Sequence, residues 1–400
     1  MVLDTGATAW VLISAALVLM MVPAVGLFYG GMVRKKNVIS TMMLSFVALA
    51  LGIVQWIIIG YSLAFGGDVG GVIGWSLDYI GLSGIPLDGV TNGIPDILFV
   101  CFQMMFACLA LAILTSGIAG RVKMSSYILF GLLWLTLVYA PLAHWAWGGG
   151  WAAQLGALDF AGGTVVHISS GFAALALALV IGKRIGYGKQ TFAPHNIPMT
   201  LIGGMFLVVG WFGFNAGSAL AANELAASAF LVTAAAAATG ALTWMALSWI
   251  NGKPNSLGFI SGAIAGLVGI TPAAGYVNVI GALLIGVITS MVCYTALRWR
   301  IKKGIDESLD AWAIHGMGGF AGAILTGVFA VSAICGVGGL IEGNLQQFGI
   351  QVLDAVIAVV YSFGVTFILG WVINKTMGLR VSEDEEYIGM DLVQHGEQQA

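Results

Sequence analysis

Residues 158–174 read LDFAGGTVVHISSGFAA and place an ionisable side chain, His167, inside an apolar and glycine-rich stretch. Residues 310–323 read DAWAIHGMGGFAGA and give His315 a similar setting. Both histidines begin the motif H-x-x-x-G-F-A, which therefore occurs twice. A repeat of this kind indicates a duplicated helical unit. In membrane proteins, internal repeats commonly place a site or pathway at their interface, near the middle of the bilayer.

The composition is typical of a protein that lies largely within a membrane. Of the 400 residues, 59% are hydrophobic and only 8% are charged, which excludes an ordinary soluble domain. The sequence predicts an all-α polytopic membrane protein with eleven transmembrane helices, each near the roughly 20 residues that a helix needs to cross a bilayer. The predicted spans are 9–31, 39–65, 95–119, 126–147, 161–182, 197–221, 225–250, 256–274, 276–298, 309–331 and 350–376.

The distribution of charge supports this number of spans, because cytoplasmic segments of membrane proteins retain Lys and Arg. With the N-terminus outside, all 15 Lys and Arg residues fall in inner segments, and the outer segments carry acidic residues only. Adding or removing one span would destroy this separation. The sequence therefore predicts a multi-pass protein of the cell (plasma) membrane, with its N-terminus outside and its C-terminus in the cytoplasm.

The positions of the two histidines along their helices bring them towards the same depth. At about 1.5 Å per residue, His167 lies about 12 Å from the outer edge of a core about 30 Å thick. By the same rise, His315 lies about 10 Å from the inner edge. The two helices run in opposite directions, so we expect the imidazoles to come close enough to touch.

Ionisable groups at this depth are rare and usually mark a pathway, although a single histidine facing neighbouring helices is more often structural. Two imidazoles in contact can share a proton and offer donors and acceptors to a small polar solute. No acidic residue lies close to the pair within the predicted spans, and a bare cation would lose its hydration without a counter-charge. The pair therefore favours a neutral solute. The chain has no HExxH motif, which disfavours a metal site.

Aromatic residues lie towards the outer ends of several predicted helices. Phe102 and Phe106 are four residues apart and share one helix face. The sequence HWAWGGGW groups Trp147 with other indoles, which form either an aromatic belt at the bilayer surface or a site for a cation over a ring face. Phe214 and Ser218 lie one helical turn apart, with Ser218 nearer the outer surface. A serine within a span commonly bonds to its own helix backbone.

Two aspartates are predicted to support helix starts, and the chain ends in a polar tail. Asp159 and Asp310 are expected to cap helices five and ten by accepting N–H groups of the first turn. Residues 379–400 are expected to form a solvated cytoplasmic tail after a transmembrane domain of residues 1–378. The four cysteines show no metal-type spacing, so no metal or other cofactor is predicted.

These residues resemble the ammonium transporters of the Amt/MEP/Rh family, and specifically the Amt branch. The resemblance covers nearly the whole chain. Trp147 is a residue that Rh-type members tend to lack, which favours the Amt branch. The sequences that carry the resemblance are GLFYGGMVRKKN in helix one, FQMMFA in helix three, PLAHWAWGGG in helix four, LDFAGGTVVHI in helix five, GWFGFNAGS in helix six and DESLDAWAIHGMGG before helix ten.

The resemblance implies a role for each of several residues. An outer vestibule would recruit ammonium between aromatic rings and a hydroxyl, a gate of two stacked rings would follow, and twin histidines would line the pore below. Asp159 would support the recruitment region structurally. By motif position, the recruiting residues are Phe106, Trp147 and Ser218, the gate consists of Phe106 and Phe214, and the pore-lining side chains are His167, His315 and Trp211.

The resemblance also implies an architecture and partners. It implies two inverted five-helix repeats, at about 9–182 and 197–331, with helix eleven (about 350–376) laid along the outside. It implies a homotrimer in the lipid bilayer, with a pore for ammonium, ammonia and methylammonium in each subunit. A PII-type regulatory protein would bind at the cytoplasmic face, where the tail keeps the sequences GLRV and HGE. No nucleic-acid partner is predicted.

The predicted function is therefore ammonium transport for nitrogen uptake. Ammonium would lose its proton at the vestibule and cross as ammonia, either with or without net transfer of a proton or charge. Two other classes stay open. An ammonium sensor (transceptor) would act through a cytoplasmic partner and would be expected to append a signalling domain, whereas the predicted tail has 22 residues. The second of these classes is an intramembrane metal-dependent enzyme, although the chain is not predicted to be an enzyme.

Overall fold

The computed structural model describes residues 2–397 and consists mainly of long apolar helices. Within this range, ten helices are long and apolar enough to cross a membrane, and one further apolar helix, α8, is shorter. The all-α membrane fold predicted from the sequence is confirmed. The helices are α1 (Thr5–Met32), α2 (Lys35–Phe65), α3 (Asp96–Gly117), α4 (Met124–Leu155), α5 (Gly163–Ile181), α6 (Ile197–Gly217), α7 (Glu224–Ile250), α8 (Ser256–Ile270), α9 (Val279–Lys303), α10 (Trp312–Phe329) and α11 (Leu345–Thr376).

Several helices differ by a few residues from the spans predicted for them, α8 and α4 among them. The α8 helix has 15 residues and stops before Thr271, since the ring of Pro272 cannot continue the backbone hydrogen bonds. The α4 helix continues past the predicted end, resuming at Trp151–Leu155 after an interruption at residues 148–150.

Four segments widen into π-helical turns, in which the hydrogen bond spans five residues. They are Trp56–Gly60 in α2, Leu135–Tyr139 in α4, Gly163–Ile168 in α5 and Trp312–Gly316 in α10. The last two contain His167 and His315. Turns of this kind occur frequently at functional sites. Both copies of the histidine motif thus share the same backbone distortion, which agrees with a duplicated unit.

The long loop between α2 and α3 contains two small hairpins at one end of the helices. In the first, β1 (Gly67–Val69) pairs antiparallel with β2 (Ile73–Trp75). In the second, β3 (Val90–Thr91) pairs antiparallel with β4 (Ile94–Pro95). We call the end that carries this loop, residues 66–95, the acidic face, because the loop contains aspartates and no Lys or Arg. The opposite end, which carries Arg121, Arg184 and Arg380, is called the basic face.

Equivalent helices of the two predicted halves pack against each other. The α1 helix packs along α6, and α5 packs against α10, while α11 lies across α5 and α10. Glycines permit the approach of α5 to α10, since a Cβ at Gly171 would overlap the backbone of Gly316. A Cβ at Gly319 would lie 2.9 Å from the Cβ of His167. Close glycine contacts are a common means of helix association in membranes, and here they bring the two π turns together.

Buried charges join the loops of the basic face. The Arg121 side chain is 0% exposed and lies 3.3 Å from a carboxylate oxygen of Asp306. Arg184 Nη2 lies 2.6 Å from the other oxygen of the same carboxylate. The segments before α4, after α5 and before α10 are therefore tied to one buried ion cluster, which fixes the geometry of this face.

Residues 379–397 of the tail are folded against the basic face, so the prediction that this part of the tail is solvated is wrong. It forms two short helices, α12 (Glu383–Ile388) and α13 (Met390–His395). Glu386 is buried and pairs with Arg380 at 2.6 Å. Asp391 accepts hydrogen bonds from the backbone N–H groups of Ile39 at 3.1 Å and Ser40 at 2.8 Å. The acidic residues thus satisfy a guanidinium and the start of a helix, contacts that compensate for the loss of water.

Candidate functional site

The two repeated histidines meet between α5 and α10. Their Nδ1 atoms are 3.3 Å apart, and their ring centroids are 5.3 Å apart. His167 is 0% exposed and His315 is 8% exposed. The contact that we expected from the helix rise is therefore present, and it depends on the glycine contacts between the two helices.

A third residue, Thr271, determines which nitrogens carry protons. Its hydroxyl donates to the carbonyl of Leu267 at 2.7 Å and accepts from Trp211 Nε1 at 2.9 Å. Its oxygen also lies 3.3 Å from His167 Nε2. Because the hydroxyl proton is already donated, the network assigns His167 Nε2 as a donor. His167 Nδ1 is then the acceptor, and His315 Nδ1 is the donor between the two rings.

Aromatic rings stack on this pair towards the acidic face. The Phe214 ring lies nearly parallel to the imidazole of His167, at 17° and 5.7 Å between centroids. The Phe106 ring lies 4.4 Å from that of Phe214. Trp211 flanks the pair, with its ring 5.3 Å from His167 and 6.5 Å from His315. The side chains predicted to form the gate and to line the pore therefore form one continuous column of contacting rings.

The predicted recruiting residues lie at the end of this column that is nearest the acidic face. The Trp147 ring meets Phe106 edge-on, at 84° and 6.1 Å. Its Nε1 donates to the carbonyl of Asp159 at 2.8 Å, so the indole is held in place. Ser218 Oγ donates to the carbonyl of Phe214 at 2.8 Å, the backbone bond that a serine in a span commonly makes. The proton of this hydroxyl is thus used, while its lone pairs still accept.

Asp159 forms the cap that we expected. Its carboxylate accepts the backbone N–H groups of Gly162 at 2.9 Å, Gly163 at 2.6 Å and Thr164 at 2.9 Å. These donors begin the π turn that carries His167. A carboxylate at a helix N-terminus also interacts favourably with the helix dipole. The residue therefore positions two parts of the column, the histidine through the turn and Trp147 through its carbonyl.

The cap predicted for Asp310 is wrong. Its backbone is left-handed, with φ of 69°, and its carboxylate binds Arg300 Nη2 of α9 at 2.5 Å. The first free N–H of the next helix, at Ala311, donates instead to Ser116 Oγ at 3.3 Å. A guanidinium offers the carboxylate a stronger, charge-assisted bond than a backbone N–H does. Asp310 therefore links the start of α10 to α9.

Thr271 is the site residue that we did not predict from the sequence. A Thr-Pro pair ends the shortest apolar span, and a hydroxyl at a helix end was the available signal. Its partners lie 60 and 104 residues away along the chain. Across residues 2–397, no group of three or more His, Cys, Asp or Glu side chains is arranged to hold a metal ion.

Comparisons with known proteins identify relatives of this chain. A profile of the Ammonium Transporter Family matches residues 9–400. The chain is 54% identical over 395 residues to ammonium transporter Amt1 of Archaeoglobus fulgidus, covering 99% of each chain.

Two solved structures share the fold. The chain matches Mep2 of Saccharomyces cerevisiae with a TM-score of 0.89 and 38% identity, covering 96% of this chain and 89% of that one. It matches a structure described as a sensor Amt protein with a TM-score of 0.91 and 31% identity, covering 98% of each. On the strength of the family profile and of the identity to Amt1 along its whole length, the chain belongs to the ammonium transporter family.

Proposed function

We propose that this ammonium transporter binds ammonium at Phe106, Trp147 and Ser218, that the ammonium gives up its proton there to solvent water, and that ammonia then passes Phe214 to the histidine pair. The observation that carries the proposal is the continuous ring column that runs from Phe106 to the hydrogen-bonded pair. A site of ring faces and hydroxyl lone pairs suits a small cation that can also donate hydrogen bonds.

The closed rings explain why the proton must be left behind. Phe106 and Phe214 are 1% and 0% exposed, so a solute between them is separated from bulk water. A charged solute would lose its hydration there at a cost of several kcal/mol or more. Ammonia carries no net charge, so the loss of its hydration costs much less free energy. Alkali ions, which have no proton to leave, are excluded on the same grounds.

The tautomers of the histidine pair favour a neutral solute. With His315 Nδ1 donating to His167, His315 Nε2 carries no proton and accepts a hydrogen bond from ammonia. The bond from His167 Nε2 to Thr271 holds the other mobile proton. A proton therefore travels along the pair only when this bond breaks. Conduction without net proton transfer and conduction with it differ in that single step.

We further infer the placement of the protein in its membrane. The acidic face is extracellular and the basic face cytoplasmic, because Lys and Arg are retained on the cytoplasmic side. The packing of α1 on α6 and of α5 on α10 supports the two inverted repeats. We infer from the family that the chain forms a homotrimer in the plasma membrane, takes methylammonium as well, and binds a PII-type protein at the basic face.

The test is a joint measurement of methylammonium uptake and ammonium-evoked current in proteoliposomes. The variants are His167→Ala, His315→Ala and the double variant, with His195→Ala on the basic face as the matched control. We expect the double variant to lose selectivity over potassium or to lose uptake, and the control to behave as the wild type. Unchanged current and selectivity in the double variant would contradict the role of the pair.

A sensor that acts through a cytoplasmic partner is the second candidate, favoured by the likeness to the sensor Amt protein. It predicts that wild-type proteoliposomes take up little more methylammonium than empty liposomes. In that case, binding of ammonium should be measurable without flux. Robust uptake at an inward gradient would exclude a purely sensory function.

A further inference from the structure

A cavity opens on the acidic face, apart from the ring column. It has a volume of about 270 Å³ and lies between the loop of residues 66–95 and the adjoining ends of α2 and α3. Leu220, in the segment after α6, closes one side. Its lining shares no residue with Phe106, Trp147 and Ser218. We call it the outer aromatic cavity, defined by Tyr61, Phe65, Tyr79, Asp96 and Phe99.

Four of these side chains form a connected set of rings. The Tyr61 ring lies 5.1 Å from that of Tyr79 and 5.4 Å from that of Phe65. The Phe65 ring in turn meets Phe99 edge-on at 5.0 Å. The rings come from α2, the loop and α3, so three segments of the chain converge to build the lining. Connected rings around a cavity are the means by which proteins bind methylated ammonium groups.

Three side-chain polar groups of the cavity make no polar contact with another protein group of residues 2–397. Within residues 2–397, the carboxylate of Asp96 takes part in no ion pair. In the same range, neither this carboxylate nor the hydroxyls of Tyr61 and Tyr79 make a hydrogen bond to the protein. The loop of residues 66–95 has no Lys or Arg. A negative charge therefore stands beside the rings without a cation to neutralise it.

The size of the cavity indicates the size of its ligand. At about 30 Å³ of liquid volume per water molecule, it holds roughly nine waters. A single ammonium or potassium ion would leave most of that space to water. A cation that carries several methyl groups would cover more of the ring surface.

We propose that the outer aromatic cavity is a binding site for a methylated organic ammonium cation, the chemical class of choline and tetramethylammonium. The ring faces contact the N-methyl groups, whose positive charge is spread over their hydrogens. The carboxylate of Asp96 supplies the counter-charge, and a ligand hydroxyl bonds to Tyr61 or Tyr79. The binding itself does not depend on the transport mechanism.

An organic cation bound in the cavity is expected to affect the recruitment of ammonium. Leu220 of the cavity follows Ser218 by two residues. Phe99 and Phe106 lie seven residues apart on α3, about 10 Å along the helix. This separation of Phe99 from Phe106 is close to the distance over which physiological salt screens charges. A bound organic cation is thus expected to raise the ammonium concentration needed for half-maximal uptake. This consequence, unlike the binding, rests on the proposed function.

The test is calorimetric titration of the purified protein with choline chloride at constant ionic strength, and with uncharged 3,3-dimethyl-1-butanol of nearly the same shape. We expect saturable choline binding, and a weaker response to the alcohol. Asp96→Asn should weaken choline binding about tenfold or more, as expected when a desolvated counter-charge is lost. Asp88→Asn, on the loop of residues 66–95 but outside the lining, should change choline binding less than twofold.

Two further variants keep the result decisive. Tyr79→Leu removes a ring and a hydroxyl without touching the charge, so it carries the test if Asp96→Asn does not fold. Trp147→Leu should leave choline binding intact. The proposal is overturned if choline shows no saturable binding, if the alcohol binds equally well, if Asp96→Asn and Asp88→Asn behave alike, or if Trp147→Leu abolishes binding.

Discussion

The hydroxyl of Thr271 serves three partners, which are Leu267, Trp211 and His167. It has one proton to donate and two lone pairs to accept with, so the three bonds use its full capacity. The same three bonds hold the indole beside the histidines and fix the tautomer of His167. Thr271 thus determines which nitrogen atoms of the histidine pair donate and which accept hydrogen bonds.

Thr271→Val keeps the shape of the side chain and removes the hydroxyl. We expect the N–H groups of Trp211 and His167 to lose their hydrogen-bond acceptor, and a buried donor left unsatisfied costs about 1–3 kcal/mol of free energy. If this free-energy cost raises the barrier to conduction, about 1.4 kcal/mol of it corresponds to a tenfold slower uptake of methylammonium. Uptake in proteoliposomes measures this, with Thr271→Ser as the variant that keeps the hydroxyl. Equal uptake by the valine and serine variants would contradict the role of the hydroxyl.

The residue scale also shows where sequence reasoning succeeded and where it could not. The rise per residue along two antiparallel helices was sufficient to predict contact between His167 and His315. Thr271 was not predicted, because a hydrogen bond across 104 residues leaves no periodic signal in the chain. Asp310 was misassigned because its competing partner, Arg300, belongs to another helix.

The two helices that carry the histidines approach through glycine. A Cβ at Gly171 would lie 2.1 Å from the backbone nitrogen of Gly316, so there is no room for one between α5 and α10, and a Cβ at Gly316 would lie 3.3 Å from the backbone of Gly171. Elsewhere, the helix interiors contain glycines with open space around them, such as Gly364 in α11. The spacing of the imidazoles is therefore set by the closeness of the helices more than by the histidine side chains themselves.

Gly171→Ala is expected to push α5 from α10 and to separate the imidazoles, with uptake falling by about tenfold or more if at least 1.4 kcal/mol is lost. Gly364→Ala is the matched control. It meets nothing within 4 Å, and it should stabilise α11 by about 0.5–1 kcal/mol without changing uptake. Methylammonium uptake together with the unfolding temperature in detergent separates the two outcomes. Equal effects of the two substitutions would contradict the account of the contact.

Across the whole molecule, the buried ion cluster at Asp306 joins loops that are far apart in the chain. Burial by itself raises the pKa of Asp306, but the hydrogen bonds and charges of Arg184 and Arg121 outweigh it and hold the pKa below its usual value of 3.8. The carboxylate is therefore ionised in the folded protein at neutral pH, where both guanidinium groups depend on it.

Asp306→Asn should lower the free energy of unfolding by about 3–5 kcal/mol, because it leaves buried guanidinium charge unpaired. Denaturant unfolding in detergent micelles measures this. Asp384→Asn, an exposed position on α12, is the control and should lie within about 0.5 kcal/mol of the wild type. A loss no larger than that of the control would show that the cluster contributes little.

The same cluster predicts a pH dependence. A carboxyl whose pKa is lower in the folded state contributes stability above its unfolded pKa and loses it as the pH falls through the folded value. The stability difference between wild type and Asp306→Asn should therefore be constant from about pH 7 to pH 5 and shrink below pH 3.8. Unfolding series across this range check it. A difference that grows on acidification would contradict the sign of the shift.

At this scale, the sequence predicted the helices well but not their interruptions. Apolar runs near 20 residues and the one-sided distribution of Lys and Arg located the spans. The π turns in α2, α4, α5 and α10 left no mark in hydrophobicity, since they change the hydrogen-bond spacing and not the residue types. The folded tail was missed because its acidic residues find their partners, Arg380 and the start of α2, only in three dimensions.

The cap that Asp391 places on α2 has a consequence for biosynthesis. Ile39 and Ser40 leave the ribosome more than 350 residues before the side chain that satisfies their amides. Throughout that interval the end of the second helix at the basic face lacks the carboxylate acceptor of Asp391, whatever the rest of the nascent chain has achieved. Its anchoring is thus a late event of translation, so a stalled or prematurely terminated chain inserts its helices with that end still open.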